Sequence, residues 1–310
     1  MKYTSAAAFS QALEQRLKNE AASTGIGLAR LRKRVAFELF LRRLLVVAPD
    51  SWVLKGALAL DFRLAVATRS TKDIDLSRQD DEQAAIRDIT GAQQLALDDF
   101  FSFAAVRTGD LEDTDEFSAV RFHVTAQLAG RTFEQFLVDI GFTGATSWTP
   151  DTIQTPGVLS FAGIEPVMLP AIPIAQHLAE KVHAYTRTYG KSEQPSTRPK
   201  DLVDILLIES SATIGADRLR HALQSTFAER ARQPLPAALP PPPDAWADPY
   251  RRLAGTVDVE APQDGSAQPP NRRLCISRQS DHPSLNRQGH PLQPSGPCRA
   301  RCPRATLRTS

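Results

Sequence analysis

The sequence predicts a mixed α+β protein in which a sheet is flanked by helices. Two segments, residues 1–20 and 28–47, have apolar side chains at helical spacing. Alternating apolar side chains between residues 101 and 140 indicate neighbouring strands, with Ala129-Gly130 as a hairpin turn. Helical spacing returns between residues 174 and 230. We therefore expect two helices, a sheet region and a second helical region, in that order.

The predicted helix over 28–47 has a charged face opposite its apolar one. Its apolar residues are expected to be buried: Leu31, Val35, Leu39 and Leu45. The other face carries charges at a spacing of four: Arg30, Arg34, Glu38 and Arg42. The slightly favoured interpretation is a solvated face with an ion pair between Glu38 and Arg42, which stabilises a helix by about 0.2–0.5 kcal/mol. The other interpretation is a surface for RNA phosphates.

The rest of the chain is organised around residues 52–77. A short apolar run ends at Lys55-Gly56, where glycine allows a tight backbone approach. A helical pattern follows, with Leu58, Phe62 and Val66 spaced by four on one face, and then the motif Asp73-x-Asp75 in a strand context. Residues two apart in a strand point to the same side, so the two carboxylates lie together. Such pairs suit hard divalent ions such as Mg²⁺. The alternative is an acidic pair at a solvated strand end.

Five segments together resemble the AbiEii/AbiGii class of nucleotidyltransferase toxins, a branch of the polymerase-β-type nucleotidyltransferase superfamily. They are LKGALAL, RSTKDIDLS, FEQFLVDIGF, HLAEKVHAYTR and RPKDLVDILLI. The resemblance covers roughly residues 25–250. It implies a nucleotidyltransferase-type mixed sheet flanked by helices, followed by a helical C-terminal region.

The resemblance also implies the residues of an active site. Asp73, Asp75 and Asp139 would bind metal, and Asp139 would orient the hydroxyl of the acceptor. The nucleotide would be bound by Lys55, Gly56, Arg69, Thr71 and Lys181. Asp201 matches a position in a functional motif of the family, with Asp204 as a less certain second acid.

Each of these roles has a simpler alternative. Asp139 can cap the turn at Gly141. Lys181 can be an ordinary surface lysine on the helix predicted over 174–189. Asp201 suits the N-terminus of a helix that has Pro199 in its first turn, and this role is compatible with a functional one. His177 and His183 are interpreted as packing or surface residues.

The implied function is transfer of a nucleoside monophosphate from a nucleoside triphosphate, with Mg²⁺ or Mn²⁺ as cofactor. The implied acceptor is RNA, at the 3′ end of tRNA. The protein would be the toxin of a toxin–antitoxin or phage-defence pair, with its antitoxin encoded alongside. Two alternatives stay open. One is transfer to a small molecule or a protein hydroxyl, and the other is a nucleotide-binding module that has lost turnover.

The composition of the chain indicates where in the cell the protein is located. The sequence has no signal-peptide pattern and no apolar run of about 18 residues. Its three cysteines, Cys275, Cys298 and Cys302, all lie near the end. A cysteine-free folded region fits the reducing cytoplasm, so we expect a cytoplasmic protein without a membrane partner.

Three regions are predicted along the chain. Residues 1–170 form the nucleotidyltransferase core with its N-terminal helices, residues 171–254 a helical region that completes the active site, and residues 255–310 a disordered tail. From residue 265 onward the net charge is +7, whereas the whole chain carries +2, so residues 1–264 carry −5. The net positive charge of the chain thus comes from the tail. The composition of the tail also suggests a shifted reading frame.

Overall fold

The computed structural model describes residues 2–64, 69, 71–110, 119–189, 194–195, 198–230, 233–255 and 257. The helices within this part of the chain are α1 (Ala6–Thr24), α2 (Leu28–Val47), α3 (Gly56–Arg63), α4 (Glu82–Gln94), α5 (Ile174–Thr186), α6 (Pro199–Ser211), α7 (Ala216–Arg230) and α8 (Ala247–Ala254). Short 3₁₀ helices span Ser160–Ala162 and Asp244–Trp246.

The strands form one large sheet and one small ladder. They are β1 (Val53–Lys55), β2 (Asp73–Arg78), β3 (Phe101–Asp110), β4 (Ala119–Leu128), β5 (Arg131–Phe142), β6 (Asp151–Gln154), β7 (Met168–Ala171), β8 (Thr188–Tyr189) and β9 (Gln194–Pro195). The large sheet is seven-stranded with the order β3-β4-β5-β2-β1-β7-β6, and β8 pairs with β9.

The sheet is mixed, and its centre brings the predicted acidic strands together. β2 runs parallel to β5 and antiparallel to β1, while β1 runs parallel to β7. The hairpin at Ala129-Gly130 is confirmed, because β4 and β5 pair antiparallel on either side of it. Ala129 and Gly130 both have positive φ values, 52° and 72°, which is typical of a tight hairpin turn. The predicted α+β class is therefore confirmed.

The main apolar core lies between the sheet and the N-terminal helices. Phe37 of α2 packs edge-on against Phe136 of β5, with ring centroids 5.0 Å apart, and Phe40 packs against Phe103 and Phe136 at 5.3 and 5.7 Å. α1 adds Phe9 to the same core. Aromatic pairs at these distances contribute roughly 0.5–1.5 kcal/mol beyond the burial of their area. These helices thus hold the sheet from one side.

The charged face of α2 is largely paired within the protein, so its interpretation as a solvated face is wrong, whereas the surface for RNA phosphates stays a prediction. Arg30 and Arg34 bind the carboxylate of Asp61 on α3, at 2.6 and 2.7 Å. Glu38 is buried and accepts a hydrogen bond from Thr155 at 2.8 Å. The charges of α2 therefore fasten it to α3 and to the segment after β6. The spacing on α2 could not reveal this because the partners lie far away in the sequence.

Other helical predictions are largely confirmed. Leu31, Val35 and Leu39 are buried, whereas Leu45 is only half-buried. In the helix after Gly56, Leu58 is buried and Phe62 half-buried, and Val66 lies outside the described residues.

The C-terminal helices form a second packed group. α5 packs against α6 and α7, and its end at Thr186 falls three residues before the predicted end. Trp246 packs edge-on against Tyr185 with centroids 5.7 Å apart, and the Tyr185 hydroxyl donates to the carbonyl of Pro240 at 2.8 Å. These contacts hold Trp246 and the segment around Pro240 against α5.

The domain boundaries at 170 and 254 stay predictions. The cysteines and almost all of the tail lie outside the described residues. Among the helices that the structure describes, none combines the length and apolar character needed to cross a membrane.

Candidate active site

Three carboxylates meet on one face of the sheet. Asp73 and Asp75 project from β2 to the same side, and Asp75 is the direct register partner of Asp139 on β5. One carboxylate oxygen from each residue lies within 4.8 Å of the others. Oxygens grouped this closely could serve together as ligands of a divalent cation. Asp139 pairs in mid-strand, so its interpretation as a turn cap is wrong.

The acid cluster places like negative charges close together. Burial and the neighbouring Asp73 raise the pKa of Asp75 to about 6. Thr71 donates a hydrogen bond to Asp73 Oδ1 at 2.7 Å, which fixes that side chain. Two ionised carboxylates in contact are stable only when a cation lies between them or beside them. The donor set therefore fits a divalent metal.

Gly56 is required by the acid cluster itself. Its φ of 63° lies in the left-handed region, and a Cβ at this position would overlap the carboxylate of Asp75. The absence of a side chain thus lets the turn between β1 and α3 lie directly against Asp75. Gly56 was predicted to let the nucleotide approach the backbone closely. In this structure the group that lies against Gly56 is the carboxylate of Asp75.

Lys181 lies on α5 and is bound by two acids of α6. Its Nζ is 2.8 Å from Asp201 and 2.9 Å from Asp204. Both carboxylates are 1% exposed, and the lysine side chain is 12% exposed. Its interpretation as an ordinary surface lysine is therefore wrong. Attraction to the two acids outweighs burial and raises the pKa of Lys181.

Arg69 joins this group from the sheet side. It binds Asp204 through two hydrogen bonds of 2.8 and 3.1 Å. Burial opposes ionisation of Asp204, but Lys181 and Arg69 outweigh it and lower its pKa to about 2. Asp201 also contacts Arg198, one turn earlier, at 3.1 Å. Asp204, the less certain acid of the motif, is thus as fully engaged as Asp201.

Lys200 interacts electrostatically both with these cations and with Asp75 of the acid cluster. It is half-buried and forms no hydrogen bond or ion pair with any residue that the structure describes. Burial, together with the charges of Arg198 and Arg69, lowers the pKa of its ammonium group. Its charge in turn favours ionisation of Asp75. Counting Arg69, Lys181, Arg198 and Lys200 against Asp201 and Asp204, the group carries two excess positive charges next to the acid cluster.

Lys55 binds a different acid on α5. Its Nζ lies 2.8 Å from Glu180, and Arg230 lies 3.8 Å from the same carboxylate. Burial opposes ionisation of Glu180, but Lys55 and Arg230 lower its pKa to about 2. His177, one turn earlier, is buried, and burial with the charge of Lys181 lowers its pKa to about 3. His177 is therefore neutral, in accord with its interpretation as a packing residue.

His183 is the second buried histidine of α5. It is 0% exposed and packs edge-on against Phe227, with ring centroids 5.0 Å apart. This position supports its interpretation as a packing residue.

Arg121 is a member of the site that the sequence did not reveal. It lies on β4 opposite Asp139 and binds both oxygens of that carboxylate, each at 2.7 Å. The alternation of β4 placed Arg121 on one face of a strand, but the pairing of β4 with β5 in register was needed to bring it to Asp139. The hairpin at Ala129-Gly130 was the signal that could have located it.

Solved structures with this fold include nucleotidyltransferases. MenT4, a nucleotidyltransferase toxin from Mycobacterium tuberculosis, superposes with a TM-score of 0.50 and 19% identity, over 72% of this chain and 75% of that one. JHP933 from Helicobacter pylori matches with a TM-score of 0.37 and 14% identity, over 64% and 76% of the two chains. The antibiotic-resistance factor ANT(2″)-Ia matches with a TM-score of 0.36 and 14% identity, over 64% and 94%. Comparison with curated proteins gives no match.

The chain is a nucleotidyltransferase. The model of the family described as nucleotidyl transferase AbiEii toxin, type IV toxin–antitoxin system, matches residues 39–273, which is most of the chain. The protein therefore belongs to the AbiEii family of nucleotidyltransferase toxins. The resemblance seen in the sequence is confirmed, whereas the roles of individual site residues stay predictions.

Proposed function

We propose that this toxin transfers a nucleoside monophosphate from a nucleoside triphosphate to RNA, at the 3′ end of tRNA, with Mg²⁺ or Mn²⁺ as cofactor. The observation that carries the proposal is the cluster of Asp73, Asp75 and Asp139, with ligand oxygens within 4.8 Å. The cytoplasm, where tRNA and nucleotides are present, is its proposed location. A cognate antitoxin encoded alongside is its proposed partner, and defence against phage its proposed context.

Asp73, Asp75 and Asp139 would hold the metal. A divalent ion bound there neutralises charge on the phosphates and polarises the phosphorus under attack. Thr71 keeps Asp73 in position through its 2.7 Å hydrogen bond. Asp139 has a second role in this proposal, which is to orient the attacking hydroxyl of the acceptor. Gly56 leaves the space in which Asp75 lies.

The cationic group beside the acids would bind the triphosphate. Lys181 is held in place by Asp201 and Asp204, and Arg69 by Asp204. Because the two acids position these cations, their excess charge is fixed before the substrate arrives, which is the condition for effective electrostatic stabilisation. Lys200 has no competing partner among the described residues, so its ammonium is available to a phosphate oxygen. Lys55, fixed by Glu180, is the register partner of Asp75 on the neighbouring strand β1.

A transfer assay tests this function. The full chain is incubated with each labelled nucleoside triphosphate, Mg²⁺ and total tRNA, and label in the RNA is measured. We expect transfer by the wild type and loss of about 100-fold or more in Asp75→Asn. Asp98→Asn is the matched control, because Asp98 is an exposed aspartate outside the cluster. Label in a small molecule or in protein, with none in RNA, would favour the alternative acceptors.

The remaining alternative is a nucleotide-binding module without turnover. It predicts that the wild type binds a nucleoside triphosphate in the presence of Mg²⁺ and yet labels neither RNA, protein nor a small-molecule acceptor. Equal transfer by wild type and Asp75→Asn would contradict the proposed site directly.

A further inference from the structure

Arg121 forms an ion pair with Asp139, one of the three acids of the proposed metal site. Its two hydrogen bonds take both oxygens of Asp139, at 2.7 Å each. Asp139 is also one of the three residues whose oxygens lie within 4.8 Å of one another. A guanidinium bound to both oxygens of a carboxylate occupies two of its lone-pair sites and places a positive charge next to it, which opposes the binding of a metal cation there. Arg121 and a divalent cation therefore compete for the same group.

We propose that Arg121 is a movable counter-ion of the metal site. In the metal-free protein it neutralises Asp139. In the metal-bound protein Asp139 would be a ligand of the cation instead of the partner of Arg121. The guanidinium of Arg121 would then be available to bind a phosphate oxygen of the substrate. This inference rests on the metal site of the proposed function and adds to it a residue that links metal binding to substrate binding.

The surroundings of Arg121 fit both positions of the side chain. The side chain is 36% exposed, whereas that of Asp139 is 14% exposed, so the guanidinium can leave toward solvent while the carboxylate stays in the site. β4 lies on the far side of β5 from β2, which places Arg121 at the open border of the acid cluster. A guanidinium binds phosphate with the same forked geometry that it uses for carboxylate. The released side chain thus has a chemically equivalent partner in the substrate.

The first experiment measures Mn²⁺ binding to the full chain by the decrease of the free-ion EPR signal. We expect Arg121→Gln to bind Mn²⁺ about tenfold more tightly than the wild type, the scale on which neighbours of metal ligands alter affinity. Arg121→Lys keeps the charge but loses the forked pair, so it should also bind more tightly than the wild type. A lysine variant identical to the wild type would overturn the competition and leave only a long-range charge effect.

The second experiment measures phosphate binding by the Mn²⁺-loaded proteins. Inorganic triphosphate and a short RNA oligonucleotide are titrated separately, which distinguishes the two sources of phosphate. We expect Arg121→Gln to bind at least one of them about tenfold more weakly. The proposal therefore predicts opposite effects of Arg121→Gln: a higher affinity for Mn²⁺ and a lower affinity for the phosphate-containing ligand. An arginine that only supports the fold would weaken both, and unchanged affinity for both anions would overturn the released position.

The controls separate this inference from the proposed function. Arg107→Gln removes an arginine of the neighbouring strand β3 that pairs with Glu82 at 2.7 Å, outside the acid cluster, and should change neither affinity. Asp75→Asn should weaken Mn²⁺ binding in any case. If the wild type binds Mn²⁺ through Asp75 but Arg121→Gln binds it equally well or less tightly, the counter-ion role fails alone. If Asp75→Asn binds Mn²⁺ as tightly as the wild type, the metal site itself fails.

Discussion

At the scale of single residues, the acid cluster lowers the stability of the metal-free protein. The pKa of Asp75 is raised by burial and by Asp73 from 3.8 to about 6. A carboxyl group whose pKa is higher in the folded protein stabilises the fold while it is protonated. This stabilisation is complete below about pH 4 and is lost as the pH rises through about 6. At neutral pH the metal-free protein therefore carries a penalty at Asp75.

Asp75→Asn should remove that penalty. In EDTA at pH 7.5 we expect the variant to melt roughly 2–4 °C above the wild type, the shift that accompanies about 1 kcal/mol in a protein of this size. The difference should close as the pH falls to 4, because Asp75 is then protonated in the folded wild type and no longer carries a buried charge. Melting curves followed by circular dichroism across this range test it. A variant that melts below the wild type at pH 7.5 would identify Asp75 as a structural residue.

The identity of the acids could be predicted from the sequence, but their partners could not. Asp73 and Asp75 were found because carboxylates at strand spacing have a recognisable chemistry, and Asp139 was found through the resemblance to the toxin family. Arg121 and the pairing of Lys181 with Asp204 depend on which strands and helices become neighbours. Burial then decides whether a lysine is a solvated side chain or a buried ion, and burial is a property of the tertiary structure.

At the scale of elements, the turn at Gly56 and the pairing of β2 with β5 build the site. Helical and strand periodicity predicted α1, α2 and the β4–β5 hairpin. It did not predict that β5 would lie parallel to β2, because α4, β3 and β4 intervene in the sequence. Parallel strands need such a long crossover, and neither strand carries a local signal of its partner.

Gly56→Ala should damage the site more than the fold. The new Cβ would overlap the Asp75 carboxylate, so Asp75 must move away from Asp73 and Asp139. We expect Mn²⁺ affinity to fall by about tenfold or more. Gly25→Ala is the matched control, since Gly25 has a similar φ of 72° and nothing within 4 Å of its Cβ position. Both variants bear the cost of an alanine at positive φ, about 1 kcal/mol.

Comparison of the two variants isolates the contact with Asp75. Melting temperature and Mn²⁺ binding are measured on the same preparations. Similar melting temperatures with weaker Mn²⁺ binding only in Gly56→Ala would confirm the role of the glycine. Normal Mn²⁺ affinity in Gly56→Ala would show that the turn is not required by the metal site.

At the scale of the whole molecule, ion pairs connect the sheet to the C-terminal helices. Lys55 on β1 binds Glu180 on α5 at 2.8 Å, and Arg69, just before β2, binds Asp204 on α6 at 2.8 Å. The same pairs place the cations beside the acid cluster. The site therefore depends on the contact between the sheet and the C-terminal helices, and the charges that we propose for substrate binding also form this contact.

The Lys55–Glu180 pair should make this contact sensitive to acid. The pKa of Glu180 is lowered to about 2 by Lys55 and Arg230 against the effect of burial. A lowered carboxyl pKa gives stability that is present above the unfolded value of 4.5 and is lost as the pH falls toward 2. A double-mutant cycle of Lys55→Gln and Glu180→Gln, measured by urea unfolding, should give a coupling of about 1–3 kcal/mol at pH 7.

The coupling should be smaller at pH 3, because Glu180 is then protonated in the unfolded chain and must lose this proton to form the ion pair. The ion pair therefore adds less to the free energy of unfolding at pH 3. The exposed pair of Asp248 and Arg251 on α8, at 3.0 Å, is the matched control. Its cycle should give only about 0.2–0.5 kcal/mol. A coupling between Lys55 and Glu180 as small as that of the control would mean that apolar packing alone connects the sheet to α5. In that case Glu180→Gln should bind a nucleoside triphosphate with the affinity of the wild type. A strong coupling predicts instead that loss of Glu180 frees Lys55 and changes this affinity.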